Sequence, residues 1–252
     1  MTARHARLAS SLGALLLAAA CTSSYEIQIE TPIRPKLDVG AFQRVLVAGF
    51  LAGGTEDVDG NLETTRLLRS QLRTKSELRV IDSDVLPLMD VASEAKATDS
   101  GQQPPAAAPI KEQKDLEPYE HVFANAEYWK KIGEEYQQPL IVTGTVMFTP
   151  LSKNQLVQRE QEVYDSFGRR RVIPVRSYQE RKGFSLDGRF IFIDGRSGAT
   201  LHTEMFGEQV LYSPTQSTPA LSSYFELMDR LIPSFLSTLS SQKIKGTRIL
   251  LQ

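Results

Sequence analysis

Apolar and polar positions change period several times along this chain, and each change marks an element. Leu12 to Ala20 form a short apolar run behind Arg4, His5 and Arg7. Residues 21–40 turn polar, carry Pro32 and Pro35, and read as an extended tether. Arg44 to Phe50 is nearly continuous in apolar residues, the pattern of a strand covered on both faces. Gly53, Gly54 and Gly60 mark the loop after it. Asn61 is placed to cap a helix over 62–75, with Leu62, Leu68 and Leu72 on one face and Leu67 beside them. Residues 78–82 form a short second strand, so the body opens as strand, helix, strand.

Between 91 and 118 the periodicity is lost. Pro104, Pro105, Ala106, Ala107, Ala108 and Pro109 sit among polar residues with little to bury, which predicts a flexible insertion within the domain. A helix over 119–137 follows, with Val122, Phe123, Ala126, Trp129, Ile132 and Tyr136 at spacings of three and four, and Pro139 stopping it. Residues 140–149 are the clearest strand. Two polar extended stretches, 155–164 and 171–180, flank Asp165-Ser166-Phe167-Gly168 and predict a protruding hairpin over 153–182. Residues 184–193 and 199–212 alternate and pair across the turn from Asp194 to Gly198. A helix over 220–241 carries Leu221, Tyr224, Phe225, Met228, Leu231, Ile232, Phe235 and Leu239, and Pro233 is expected to bend or split it. Residues 246–252 add a last strand. This mixture predicts an α/β (α+β) body, a single domain over 41–252.

Composition narrows the setting. At 252 residues, 41% hydrophobic and 23% charged, the chain has enough apolar material for one well-buried domain. Its net charge of −1 lacks the basic excess of nucleic-acid binding, so no nucleic-acid partner is expected. The apolar run at 12–20 is about half of the ~20 residues that a membrane-spanning helix needs. With a basic start and small residues at its end, it makes 1–20 a secretory signal peptide. Its last residues, Leu17-Ala18-Ala19-Ala20-Cys21, resemble the lipobox of bacterial lipoproteins, although Ala18 stands where that family prefers Leu. The resemblance implies that Cys21 is acylated, with palmitate among the attached chains, and becomes the first residue of the mature protein. Thr22 after it, where Asp favours retention in the inner membrane, implies lipid anchoring at the cell outer membrane, facing the periplasm. Cys21 is the only cysteine, so no disulfide framework exists.

The search for reactive groups returns no catalytic constellation. His121 and His202, the histidines beyond the signal, stand far apart and off any metal-ligand spacing, so no metal is expected. Gly49 to Thr55 lies where phosphate loops lie, but it lacks the Gly-Lys-Ser/Thr ending and precedes Glu56, Asp57 and Asp59. Asp57, Asp59 and Asn61 alternate like part of a calcium loop without its twelfth-position ligand. No Gly-x-Ser-x-Gly elbow occurs, and no carboxylate pair is marked out by its setting. Neither an enzyme nor a cofactor is therefore expected, and a cell-envelope hydrolase is the weaker rival. Arg169, Arg170 and Arg171 form a basic knot at the hairpin tip, a candidate contact for an acidic partner or lipid headgroups.

The order of motifs carries a second resemblance. Val45-Leu46-Val47-Ala48-Gly49-Phe50, Arg79-Val80-Ile81-Asp82, Ile141-Val142-Thr143-Gly144-Thr145-Val146, and Gly188 to Asp194 followed by Gly198-Ala199-Thr200-Leu201 run in that order. They resemble the curli production assembly/transport (CsgG-like) superfamily of bacterial lipoproteins. The resemblance implies a mixed β-sheet covered by helices, and no catalysis. One branch of that superfamily forms an outer-membrane secretion ring from shared hairpins; another activates peptidoglycan synthases from a flexible tether. Residues 154–165 show no face apolar enough for a lipid-facing barrel strand. The expected role is thus a tethered assembly, secretion-accessory or regulatory module of envelope biogenesis. Its partners would be the membrane, through the lipid, and an unidentified envelope protein. A homo-oligomeric, curli-type secretion channel is the alternative.

Overall fold

The computed structural model describes residues 24–93, 110–164 and 166–251. The signal segment, Cys21, Asp165 and residues 94–109 of the expected insertion lie outside them. Contacts divide the chain into two units.

The smaller unit is a two-stranded antiparallel ribbon of β1 (Ser24–Ile33) and β7 (Gln242–Leu251). Its register runs from Ser24 opposite Leu251 to Ile33 opposite Gln242. Residues 24–33, read as part of a polar tether, are therefore a strand. Ile27, Ile29 and Ile33 share one face by the strand period of two and are all exposed. The expected last strand exists and begins four residues earlier, at Gln242.

The larger unit, Lys36–Ser240, is built on a five-stranded mixed sheet. Its strands are β2 (Arg44–Gly54), β3 (Arg79–Val80), β4 (Leu140–Tyr164), β5 (Arg170–Asp194) and β6 (Thr200–Leu211). They lie in the order β3-β2-β4-β5-β6. Strand β2 is parallel to β3 and β4, whereas β4, β5 and β6 form an antiparallel meander. Helices α1 (Gly60–Lys75) and α4 (Ala220–Leu239) cover one face. Two shorter helices, α2 (His121–Ala124) and α3 (Ala126–Glu135), cover part of the other. This is the mixed sheet between helical layers that the sequence predicts.

The apolar run in β2 feeds both layers. Val45, Val47 and Phe50 pack under α1 and α4, while Leu46, Ala48 and Leu51 pack on the opposite face. That alternation reverses phase between Val47 and Phe50. A bulge inserts Ala48: Val47 pairs with Val142, and Gly49 pairs with Thr143. Gly49 takes φ 149° there, and a Cβ on it would lie 2.7 Å from the Leu86 carbonyl oxygen, so glycine is required. Side chains satisfy the backbone groups that the bulge and the short β3 leave over. The Thr143 hydroxyl donates to the Gly49 carbonyl at 2.8 Å, and the Phe50 amide donates to Asn61 Oδ1 at 2.7 Å. The Arg69 guanidinium donates to the carbonyls of Val47 (2.7 Å) and Ser83 (2.6 Å).

Several elements differ from the pattern reading. Asp59, not Asn61, caps α1, accepting from the Leu62 amide at 3.0 Å. Asn61 is drawn to β2 instead, and Leu62 turns outward, 47% exposed. The strand expected at 78–82 is hydrogen-bonded as a ladder only at Arg79 and Val80. The helix expected at 119–137 is broken at Asn125, whose side chain caps α3 through the Tyr128 amide (3.1 Å). Buried Trp129 spans the break by donating Nε1 to the Val122 carbonyl at 2.9 Å, and Ala126 is exposed. Part of the 91–118 stretch is folded: single 3-10 turns at Gln113–Asp115 and Glu117–Tyr119 flank the buried Leu116. Pro233 does not split α4. A proline inside a helix costs about 3 kcal/mol. Leu231, Ile232, Phe235 and Leu236, each at most 4% exposed, offset that at roughly 1.5–3 kcal/mol apiece.

Helix α3 meets the β5–β6 turn without an intervening side chain. A Cβ on Gly133 would lie 1.8 Å from the Gly195 carbonyl oxygen, a backbone atom with no room to yield. The expected consequence is that Gly133→Ala lowers stability by about 1–3 kcal/mol despite alanine's better helix propensity. Urea denaturation of the two proteins checks it: equal midpoints would mean that helix and turn are not in contact.

Candidate functional site

The antiparallel pairing of β4 with β5 does not stop at the sheet. It continues from Leu140 opposite Asp194 to Tyr164 opposite Arg170 without a register shift. Strand β2 accompanies β4 only to Phe148, and β6 accompanies β5 only from Gly183. Beyond them the two strands run on as a ribbon, residues 153–164 against 170–181, about 40 Å long at ~3.3 Å per residue. The expected hairpin is thus present, as an extension of the central strands rather than a separate element. A two-stranded ribbon alone is marginal in water, so its anchorage in the sheet is what holds it.

The in-register pairs decide the character of its two faces. One face carries Leu156 opposite Tyr178, Gln158 opposite Arg176, Glu160 opposite Pro174 and Glu162 opposite Val172. The other carries Lys153 opposite Arg181, Gln155 opposite Gln179, Arg159 opposite Val175 and Val163 opposite Arg171. Charged and apolar groups are mixed along both. At the tip, Tyr164 and Phe167 are 68% and 81% exposed. The structure brings the three predicted arginines to this tip. Arg169 lies 5.3 Å over the Phe167 ring, Arg170 opens β5 and pairs with Glu162 at 3.1 Å, and Arg171 follows it opposite Val163.

A second feature lies on the sheet face that α2 and α3 leave partly open. A cleft of about 790 Å³ is floored by Thr145, Met147, Asp187 and Arg189, flanked by Met205 and Gly207, and walled by Lys111, Glu112 and Gln113. Asp187 lies opposite Gly207, and a Cβ at 207 would come within 2.9 Å of its carboxylate. Partial burial there raises the Asp187 carboxyl pKa, against a lowering hydrogen bond from Ser185. Arg189 pairs with Glu120 at 2.6 Å and stacks over Phe123. The Ser185 hydroxyl also meets Thr149 at 2.9 Å. The cleft thus sets the Asp187 carboxylate and the Arg189 guanidinium beside the apolar Met147, Met205 and Phe206. Pattern reading misses these residues; the glycines at 188 and 207 inside strands are the available signal.

The remaining candidates are used locally. Asp59 caps α1, and Asp57 accepts from the Thr55 hydroxyl at 3.0 Å. Among the described residues no group of His, Cys, Asp and Glu is placed to hold a metal ion. His121 is exposed, its Nδ1 3.0 Å from the Pro118 carbonyl. His202 lies under α4, 3.4 Å from Glu204. Glu204 also accepts from Lys36 and, at 2.7 Å, from Thr238, which ties the entry of this unit to β6 and α4. Burial pushes the Glu204 carboxyl up, but the bonds from Lys36, Thr238 and His202 outweigh it and hold its pKa below the ordinary value. Among the described residues, no helix is long and apolar enough to cross a membrane.

No family model matches the chain, and no curated protein matches it by sequence. Solved structures do. The lipoprotein GNA1162 from Neisseria meningitidis aligns over 77% of this chain and 97% of its own, with 13% identity and a TM-score of 0.36. A PelC dodecamer from Paraburkholderia phytofirmans aligns over 84% of this chain and 96% of its own, at 13% identity and TM-score 0.37. The hypothetical protein CT253 from Chlamydia trachomatis aligns over 79% and 97%, at 11% identity and TM-score 0.39.

The two perturbed carboxylates predict opposite pH behaviour. Asp187, with its pKa raised on folding, costs stability once ionised. Asp187→Asn should therefore raise the melting temperature near neutral pH, with the gain vanishing below the ordinary aspartate range. Glu204, with its pKa lowered, contributes stability at neutral pH that is lost as pH falls through its folded value. Glu204→Gln should lower the melting temperature at neutral pH and make little difference in acid. Melting curves across pH check both, and the same sign for the two variants would contradict these assignments.

Proposed function

We propose that the chain is a non-catalytic lipoprotein module of the bacterial outer membrane. Lipid on Cys21 holds it at the periplasmic face, and its ribbon is extended toward another envelope component in assembly, secretion support or regulation. The observation that carries this reading is the ribbon itself: about 40 Å of paired strand beyond the sheet, with charge on both faces and aromatic and basic groups at its end. That register supports a ribbon standing in water rather than the wall of a secretion channel, whose strands need one continuous apolar face. The open cleft on the sheet face, with its arginine and carboxylate committed to neighbours, supports a body that binds rather than reacts.

Kinship with the curli-type superfamily is part of the same proposal. The motifs that suggest it fall on strands of the five-stranded sheet and the turns between them. Val45 to Phe50 lies in β2, and Ile141 to Val146 in β4, the middle strand of the five. Gly188 to Asp194 ends β5, and the turn to Gly198 leads into β6.

Cell fractionation tests the tether. Cys21→Ala should move the protein from the membrane to the soluble fraction, whereas deletion of residues 153–182 should leave it membrane-bound. If the Cys21→Ala protein stays with the membrane, the lipoprotein reading fails. Particles of the detergent-extracted protein should appear without a membrane-spanning barrel in electron micrographs; barrels lost on deleting 153–182 would establish the channel instead.

A further inference from the structure

Resting on the reading of the ribbon as the part that reaches outward, the structure points to what its tip touches. We propose that the tip docks in the headgroup layer of an anionic phospholipid surface, through Phe167 and Tyr164 with Arg169, Arg170 and Arg171.

Three observations converge on a lipid surface. First, charge is concentrated on this arm. Residues 153–182 carry eight Lys and Arg against four Asp and Glu, a net +4 in a chain whose total is −1. Six of the eight, Arg169 to Arg171, Arg176, Arg181 and Lys182, lie on the β5 side, and the register shares them between both faces of that strand. Second, the tip pairs those cations with large exposed rings. Phe167 is 81% and Tyr164 68% exposed, with Val163, Val172 and Ile173 beside them. Aromatic rings with guanidinium groups around them match the interface of a bilayer, where the ring sits among glycerol and upper acyl groups and the guanidinium grips phosphate bidentately.

Third, the tip is narrow. Paired strands stand about 4.8 Å apart, so a two-stranded end is roughly 10 Å across with its side chains. A stable protein interface needs about 800 Å² from each partner, more than such an end supplies. A bilayer interface sets no such requirement, because it flows around whatever enters it. The depth of entry is limited by the same register. Behind the tip, Arg176 lies opposite Gln158, and Arg159 opposite Val175, so the ribbon stops in the headgroups and does not cross. The lipid on Cys21 supplies the attachment, and the tip supplies orientation.

Vesicle sedimentation tests this with residues 22–252 made without lipid, which retain every described residue. The wild-type polypeptide should pellet with vesicles of phosphatidylcholine and phosphatidylglycerol, not with phosphatidylcholine alone, and salt should weaken the binding. The combined change Arg169→Ser, Arg170→Ser and Arg171→Ser should lower the partition coefficient at least about tenfold, since each cation near an anionic surface is worth roughly fivefold. Phe167→Trp should shift its emission to the blue on the anionic vesicles, readable against buried Trp129. Circular dichroism confirms that the variants are folded. Wild-type protein that fails to pellet with anionic vesicles, or a triple variant that binds as well as wild type, overturns the proposal. So does a photo-crosslinker at position 167 that captures an envelope protein rather than lipid in cells. Those outcomes leave the Cys21 tether standing, while release of the lipid anchor is read by fractionation alone.

Discussion

Twenty-five consecutive pairs between β4 and β5 hold this molecule in its shape. The same ladder is the middle of the sheet at one end and a free-standing ribbon at the other. A slip by one residue would send every side chain of the pair to the opposite face. Inside the sheet that would bring Val142, Val146, Phe148, Phe190 and Phe192 out from under α1 and α4, so the core enforces the register. The ribbon, whose faces are mixed and whose own pairing energy is small, inherits that register from the core. Precision at the tip is therefore set about 65 Å away along the strands, by the packing of phenylalanines.

Polar groups play the complementary part of closing what the strands leave open. The bulge at Ala48 and the two-residue β3 expose carbonyls and amides of β2 in the interior, where each unpaired group would cost about 1–3 kcal/mol. Thr143 from β4, and Asn61 and Arg69 from α1, each reach one of these groups. Tyr224 on α4 joins α1 instead: burial raises its phenol pKa, and its hydroxyl bonds Thr64 and the Gly60 carbonyl. These contacts tie α1 and β4 to β2, and α4 to α1, more specifically than apolar packing alone.

The long apolar and alternating segments are legible in the sequence because burial writes its own period. Arg44 to Phe50 is covered on both faces and shows no gaps, as is Phe190 to Ile193; 199–212 is covered on one and alternates. The hairpin is legible from its turn residues. Elsewhere a competing signal hides the outcome. Tyr25, Ile27, Ile29, Thr31 and Ile33 alternate strictly, but Pro32 and the interleaved polar residues make the segment look like a linker. Asn125 is a capping residue set inside a helical period, and the cap prevails over the period. Asn61 and Asp59 are both good caps, and only the position of β2 decides between them. Asp187, Arg189 and Gly207 become neighbours through strand register, which no local pattern encodes. Cys21 is the reverse case, a feature read from sequence alone.

The pairing of β1 with β7 has a consequence for how the chain assembles. Ser24 finds its partner at Leu251, and Val45 in β2 finds its parallel partner at Leu140. The β4–β5–β6 meander, by contrast, is made of neighbours in sequence and closes short loops. Contacts between distant residues form slowly, because the intervening chain must be drawn together first. The meander thus zips early and presents an unsaturated β4 edge for β2 to enter. Strand β1, made nearly first, has no partner until the last residues of the chain exist. Until then its backbone N–H and C=O groups form an unpaired edge, so the interval itself is when the young chain most needs protection from its own kind.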